Sequence, residues 1–150
     1  MDKYSGVGTQ TVANPADTTL TLTGNTATRA KLYEIILSAI SAPADITLKH
    51  TVQRCTAIGT GTGFTPVKLD NDAPVAQLVC TVNHTAEPTY TASAFLLEGG
   101  VNQRATFRWV AAPGGEILIP ATAASGVGIF TIDVGAAATP NVEATIHWEE

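Results

Sequence analysis

Short runs in which apolar and polar residues alternate recur along this sequence and predict β-strands. In Thr18 to Thr23, Leu20 and Leu22 alternate with threonines, which predicts a strand buried on its leucine face only. Clusters of Gly, Pro and Asn separate the runs, and Pro113-Gly114-Gly115 is a clear turn. We count about nine or ten such runs and no clear helix, which is typical of a β-sandwich or barrel.

The segment from Arg29 to Ile40 is ambiguous, because its apolar residues also fit the spacing of one helical face. The run from Asp45 to Thr56 that follows alternates as a strand does. Residues 41–44 form a short, turn-like link between the two runs, which suits an antiparallel pair. We therefore predict a strand here.

The predicted fold is an all-β antiparallel sandwich, jelly-roll-like, with about eight to ten short strands in two sheets. An immunoglobulin-like sandwich would give much the same pattern and stays open as an alternative. The 150 residues suit a single core. Residues 1–14 are predicted to be an extended N-terminal arm, because Val7 and Val12 are their only sizeable aliphatic anchors. Residues 15–150 are predicted to form the sandwich.

Charge adds a functional expectation. Only 14% of the residues are charged, against about 25% in an average soluble protein. A surface rich in Thr, Ser, Asn and small apolar residues has a small desolvation cost when another protein covers it. This favours a subunit of a larger assembly over a weakly charged monomer. The eight scattered bases and the net charge of −5 predict no nucleic-acid partner.

The start of the sequence and its hydropathy bear on location. The first residues carry no positively charged, apolar signal, and no run is long enough to span a membrane. We expect a protein made in the cytosol without a classical export signal and without a membrane partner. Cys55 and Cys80 have neither CxxC spacing nor a disulfide-rich context, so we predict buried free thiols.

The sequence predicts no catalytic, cofactor-binding or metal site. His50, His84 and His147 lie far apart and none belongs to a pair with metal-ligand spacing. Asp70 and Asp72 have a spacing that can hold Ca²⁺, but a turn is the better interpretation. The glycines of residues 59–63 lack the Lys-Ser/Thr pair of a P-loop, which predicts a flexible connection between strands.

Residues 104–109 combine an apolar and a cationic face. Strand alternation would direct Phe107 and Trp109 into the core and align Arg104 and Arg108 on the opposite face. These guanidiniums would pair with a carboxylate of the chain or with a partner protein. The carboxylates considered are Glu87, Glu98 and Glu116. The predicted partner-binding residues are Arg104 and Arg108, with Tyr4, Val7 and Val12 of the arm.

Several motifs together resemble a known family. They are Thr85-Ala86-Glu87-Pro88-Thr89-Tyr90-Thr91, Asn102-Gln103-Arg104-Ala105-Thr106-Phe107-Arg108-Trp109, Pro113-Gly114-Gly115-Glu116 and Pro120-Ala121-Thr122-Ala123, preceded by Gln53-Arg54 and by Gly59-Thr60-Gly61-Thr62 before Thr65-Pro66. Through these motifs the chain resembles, from Arg29 to Ala124, a family of small structural proteins from tailed bacteriophages and related prophages. The resemblance implies a virion protein and transfers no catalytic residues.

The leading functional hypothesis is a head decoration or cement protein at the capsid surface. It would form a homotrimer on the lattice of the major capsid protein, with the arm crossing a subunit boundary. One alternative is a receptor- or carbohydrate-binding module on a tail or fibre, which needs exposed aromatics, although aromatic content is only 6% and Trp109 and Trp148 are predicted in the core. An enzyme on a jelly-roll scaffold would need a cluster of acids and histidines that the sequence lacks.

Overall fold

The computed structural model describes residues 1–12, 17–41, 44–134 and 139–150. Every regular element in these ranges is a β-strand, so the predictions of an all-β protein and of a strand within the ambiguous segment from Arg29 to Ile40 are confirmed. The strands are β1 (Lys3–Thr11), β2 (Asp17–Thr23), β3 (Ala30–Ala39), β4 (Thr47–Ala57), β5 (Thr60–Phe64), β6 (Val67–Lys68), β7 (Val79–Ala86), β8 (Thr89–Asn102), β9 (Phe107–Val110), β10 (Ile117–Ile119), β11 (Gly126–Asp133) and β12 (Asn141–Glu149).

The strands form two antiparallel sheets that pack face to face. Sheet A has the order β10-β3-β12-β1-β6, and β9 also pairs with β3. Sheet B has the order β5-β7-β2-β11-β4-β8. Among β1 to β4 each strand lies in the opposite sheet from the one before it, so the chain crosses repeatedly between the sheets. The predicted antiparallel sandwich is confirmed.

The main hydrophobic core lies between the sheets. Buried and partly exposed residues alternate along β12, as expected when successive side chains point to opposite faces. Trp148 is fully buried, as predicted, and its ring stacks on that of Tyr4 with centroids 5.8 Å apart. Sheet B contributes Leu20, Leu22, Val52 and Ile129 to the same core. Each large apolar side chain buried here stabilises the fold by roughly 1.5–3 kcal/mol.

The N-terminal residues form a strand of sheet A, whereas the sequence predicted an arm over residues 1–14. β1 pairs with β12 from Lys3 opposite Glu149 to Thr11 opposite Asn141, and its other edge pairs briefly with β6. Tyr4 and Val12 are each only 1% exposed. The described part of this segment, residues 1–12, therefore belongs to the sandwich.

Two glycines explain why the sequence pattern of β1 was missed. Gly6 and Gly8 follow Tyr4 on the face of β1 that points toward sheet B, so the strand lacks the usual row of apolar side chains. A Cβ atom on Gly8 would lie 2.5 Å from Val82 Cγ1 and 2.8 Å from the carbonyl oxygen of Thr19. The two sheets approach too closely at this point for a side chain.

Sheet B is strongly curled. β4 and β5 lie four strand positions apart, at least about 19 Å across a flat sheet. Only Ile58 and Gly59 join them, and this link spans at most about 11 Å. β7 and β8 are equally far apart in the sheet and are joined by Glu87 and Pro88 alone. The ends of sheet B must therefore wrap over the face that points away from sheet A.

This curl buries β2 on both faces, so the prediction of a half-buried strand is wrong. Thr19, Thr21 and Thr23 are as fully buried as the leucines between them. We call the packed region on the face away from sheet A the outer zone of sheet B. Its members include Thr18, Thr21, Thr23, Tyr90, Gly128 and Phe130. The rings of Tyr90 and Phe130 pack there with centroids 5.0 Å apart.

Candidate binding surfaces

Arg104 and Arg108 do not share a strand face, so that prediction is wrong. The side chain of Asn102 ends β8 by accepting a hydrogen bond from the backbone N–H of Arg104 at 2.9 Å, which places Arg104 in a turn. Arg104 Nε donates to Asp45 Oδ1 at 3.0 Å, and Arg108 Nε donates to Glu34 Oε1 at 2.7 Å. Neither carboxylate is among the three that the sequence suggested. Both guanidiniums are thus ion-paired within the chain.

The predicted arm residues have separate environments. Tyr4 and Val12 are buried within the sandwich, and the hydroxyl of Tyr4 donates to the carbonyl oxygen of Pro74 at 3.1 Å. Val7 lies on the outer face of sheet A and is 48% exposed. Of these three residues, Val7 is therefore the one whose side chain is available to a partner.

The outer face of sheet A carries a charge cluster centred on Glu34. Its carboxylate accepts hydrogen bonds from His147 Nδ1 at 2.9 Å and from Arg108. These bonds, with that from His147 the larger cause, hold the pKa of Glu34 below its ordinary value. On the same face Lys31 pairs with Glu149 at 3.3 Å. These charges compensate one another across neighbouring strands.

The other two histidines are buried. Burial lowers the pKa of His50 to about 4 and also lowers the pKa of His84. Both rings are therefore neutral near pH 7, and His50 Nδ1 is hydrogen-bonded to Thr131 Oγ1 at 2.9 Å. Within the described ranges, no three His, Cys, Asp or Glu side chains are grouped so that they could hold a metal ion.

Cys55 and Cys80 are buried free thiols, as predicted. Burial raises the pKa of Cys55 to about 11 and also raises the pKa of Cys80. Because the thiolate is the reactive form, both residues are inert thiols at neutral pH.

Two loop predictions have different outcomes. Asp70 forms a turn, since its Oδ1 accepts the backbone N–H of Asp72 at 3.0 Å, and the turn interpretation is confirmed. The glycine-rich residues 59–63 were predicted to be a flexible connection, which is wrong for most of them because β5 starts at Thr60 and pairs with β7. Glycine suits position 61 of this strand, because a Cβ atom there would lie 2.8 Å from the carbonyl oxygen of Val82.

Exposed apolar side chains gather beside β6 and at the start of β7. Phe64, Val75 and Val79 line an open cleft of about 320 Å³, and Val67 follows Pro66, another lining residue. Val67, Val75 and Val79 are 67%, 58% and 42% exposed. Among the described residues, none that lines this cleft is charged. We call Phe64, Val67, Val75 and Val79 the valine patch.

A second cleft, of about 490 Å³, is lined by residues of both sheets. Arg29, which directly precedes β3, and Arg54 of β4 lie on its walls, so we call it the arginine cleft. The hydroxyl-bearing residues Thr56, Thr91 and Ser125 also line it. It combines these cationic and hydroxyl groups with apolar side chains such as Leu118 and Pro120.

The arginine cleft lies where β8 leaves its regular pairing with β4. Gln53 pairs with Phe95, and Cys55 pairs with Tyr90. Between these two pairs β4 advances by two residues, whereas β8 advances by five. The extra residues of β8 form a bulge. Ser93 within it has a φ of 59°, in the left-handed region that residues other than glycine seldom adopt. Bulges and such backbone conformations are concentrated beside functional sites.

No protein-family model, curated protein or solved structure matches the chain. The part of the chain that the structure describes contains no helix of the length and hydropathy needed to cross a membrane.

Neither cleft was predicted from the sequence. β7 begins at Val79, and Val75 lies in the exposed loop before it. Arg29 and Arg54 are distant in sequence, and the pairing of β10 with β3 helps to bring them to one cleft. The available signal was the placement of the aliphatic residues Val67 and Val75 on either side of the polar turn at residues 70–72.

Proposed function

We propose that the protein is a structural component of a tailed-bacteriophage particle, a decoration or cement protein that binds the lattice of the major capsid protein. The observation that carries this proposal is the valine patch, because exposed apolar residues gathered on one surface are typical of protein–protein contacts. The viral part of the proposal is supported by the resemblance of residues 29–124 to small structural proteins of tailed phages.

The chemistry of the valine patch suits a lasting contact. Burying apolar surface contributes about 25 cal/mol per Å², and the carboxylate of Glu150 beside the cleft is already hydrogen-bonded to the backbone N–H groups of Gln77 and Leu78. The cleft of about 320 Å³ can accept a protruding aliphatic or aromatic side chain of the partner.

The use of charge within the chain supports a protein partner over nucleic acid. Four of the eight basic side chains pair with carboxylates of the chain itself: Lys31, Lys49, Arg104 and Arg108. With a net charge of −5, the molecule has no extended cationic surface among the described residues to offer to the phosphate backbone of a nucleic acid. Apolar contact is therefore the stronger source of binding energy.

We infer further that the sandwich is a jelly roll with added strands, assembled as a homotrimer. β1 lies beside β12 and β12 beside β3, while β2 lies beside β11 and β11 beside β4. Pairing of early with late strands is expected for two interlocked Greek keys. β5, β6 and β7 then extend the sheet edges. A ring of three copies would repeat the valine patch and make modest contacts collectively strong.

The location in the particle tests the proposal. Heads and tails are separated from purified native particles, and the copies in each fraction are counted by quantitative mass spectrometry. We expect the protein on heads, in numbers comparable to the major capsid protein, and electron microscopy should locate it on the outer surface. A few copies, or recovery with tails, would contradict the proposal and favour the receptor- or carbohydrate-binding alternative.

A matched pair of double variants tests the surface. Val75→Lys with Val79→Lys places two charges on the cleft walls of the valine patch, and we expect binding to heads that lack the protein to weaken at least about tenfold, since each desolvated charge is costly. Val110→Lys with Val134→Lys is the control, because these valines are similarly exposed, at 54% and 61%. Equal binding by both double variants would show that the valine patch does not contact the capsid.

A further inference from the structure

We propose that the arginine cleft binds a small organic anion, a carboxylate or phosphate group carried on a compact polar body such as a sugar. This site is separate from the valine patch, and the proposal does not depend on capsid binding. It follows from the hydrogen-bonding capacity of Arg54, the position of Arg29 and the backbone of β8 beside the cleft.

Arg54 is a partly buried cation whose hydrogen bonds are largely unused. One terminal nitrogen donates to the carbonyl oxygen of Leu118 at 2.6 Å. A guanidinium has five N–H donors, and none of the others has an acceptor among the described residues. That single bond fixes the side chain against β10 while leaving a fork of donors beside the cleft. Such a fork matches the geometry of a carboxylate or phosphate.

Arg29 adds a second positive charge to the same cleft. It forms no hydrogen bond or ion pair with any described residue, and it precedes Ala30, whose pairing with Ile119 brings it near Pro120 on the cleft wall. No aspartate or glutamate is among the described residues that line the cleft. In a molecule of net charge −5, two guanidiniums without a carboxylate make this a local positive site.

The remaining walls indicate the body of the ligand. Thr56, Thr91 and Ser125 can donate or accept hydrogen bonds, and Leu118 and Pro120 supply apolar contact. The volume of about 490 Å³ lies within the range of small-molecule sites, about 300–1,000 Å³. Hydroxyls beside apolar walls suit a sugar ring that bears one acidic group. The bulge of β8, with Ser93 in its left-handed conformation, holds Thr91 at the cleft.

Binding is tested with four probes: glucuronate, glucose 6-phosphate, inorganic phosphate and neutral glucose. Titrations are followed by calorimetry at low salt and by NMR shifts of the backbone amides of Thr91, Ser125 and Gly126, which report on the cleft. We expect saturable binding of glucuronate or glucose 6-phosphate, and none of glucose. Preference for one acid identifies the group as a carboxylate or a phosphate. Binding should weaken as salt increases.

Matched variants decide the role of the arginines. Arg29→Gln, at an exposed position, should weaken binding roughly tenfold or more, the loss expected when one charge-assisted contact is removed. Arg54→Lys keeps the charge but loses the fork, and we expect a similar loss. Arg104→Gln is the control, since it removes the same charge from an exposed turn outside the cleft.

Three results would overturn the proposal. The first is an absence of saturable binding for both acids at millimolar concentration. The second is equal weakening by Arg29→Gln and Arg104→Gln, which would show only the effect of net charge. The third is binding of inorganic phosphate as tight as that of both sugars, which would show a nonspecific anion contact and no site for an organic ligand. Circular dichroism of each variant establishes that it is folded.

Discussion

Both faces of β2, in the interior of sheet B, are buried, but the chemistry that fills them differs. The inner face packs Leu20, Leu22 and Ile129 against sheet A, where apolar area removed from water stabilises the fold. The outer zone instead packs Tyr90 over Gly128, and small residues let the aromatic ring approach the backbone. A buried position in a curled sheet therefore need not be occupied by a large apolar residue.

The stability of the core between the sheets should be more sensitive to pH than that of the outer zone, because His50 lies in this core beside Phe107 of sheet A. Burial lowers the pKa of His50 from 6.5 to about 4. As the pH falls below 6.5, His50 becomes protonated in the unfolded chain but stays neutral in the folded chain until about pH 4. Protonation therefore stabilises the unfolded state between pH 6.5 and pH 4, and the free energy of unfolding decreases over that range. The loss amounts to about 3 kcal/mol.

This prediction is checked by urea unfolding of the wild-type protein and of His50→Gln at pH 7.5 and at pH 4. The wild type should lose about 3 kcal/mol more than the variant on acidification. The measurement at pH 7.5 is the control, because it separates the cost of replacing the ring from the cost of protonating it. An equal loss of stability in the two proteins would show that His50 accepts its proton freely in the folded state.

The same contrast explains which parts of the fold the sequence predicted. Strands that contribute large residues to the core between the sheets, such as β4 with Val52, show alternation and were predicted. β1 was assigned to an arm because Gly6 and Gly8 occupy its inward positions where the sheets meet closely. Threonines of β2 were assigned to the surface, because the curl that covers them depends on strand order, and strand order is not encoded in local pattern.

The outer zone offers a packing test of intermediate size. A Cβ atom on Gly128 would lie 2.7 Å from Tyr90 Cε1, so Gly128→Ala should lower the free energy of unfolding by about 1–3 kcal/mol. Tyr90 resists displacement because its hydroxyl is hydrogen-bonded to Thr18 Oγ1 at 2.6 Å. Gly63→Ala is the control, since its nearest neighbour would be 3.8 Å away.

A double-mutant cycle makes this test specific. In a Tyr90→Ala background the added methyl group meets no ring, so Gly128→Ala should cost less there than in the wild type. Equal costs in the two backgrounds would mean that the loss arises from the β11 backbone and that the ring is not closely packed over it.

The binding surfaces were less predictable than the fold, for a related reason. The sequence directed attention to Arg104 and Arg108, which lie close together in the chain, yet each is neutralised by a carboxylate from a distant segment. Arg29 and Arg54 showed no local pattern, and the curled sheet leaves them without carboxylate partners among the described residues. Local spacing identifies candidate charges, but tertiary pairing decides which of them remain available.

The smallest effect should come from the threonines of the outer zone. The hydroxyl of Thr21 is fully buried and has no hydrogen-bond partner among the described residues. Thr21→Val replaces that hydroxyl with a methyl group of similar shape and should raise the free energy of unfolding by about 1 kcal/mol, because an unsatisfied buried hydroxyl is costly. Thr145→Val is the control, on the partly exposed face of β12, and should change stability by less than about 0.5 kcal/mol. If Thr21→Val instead destabilises the protein, the hydroxyl has a bonding partner such as an ordered water, and the outer zone is held together by polar bonds as well as by close packing.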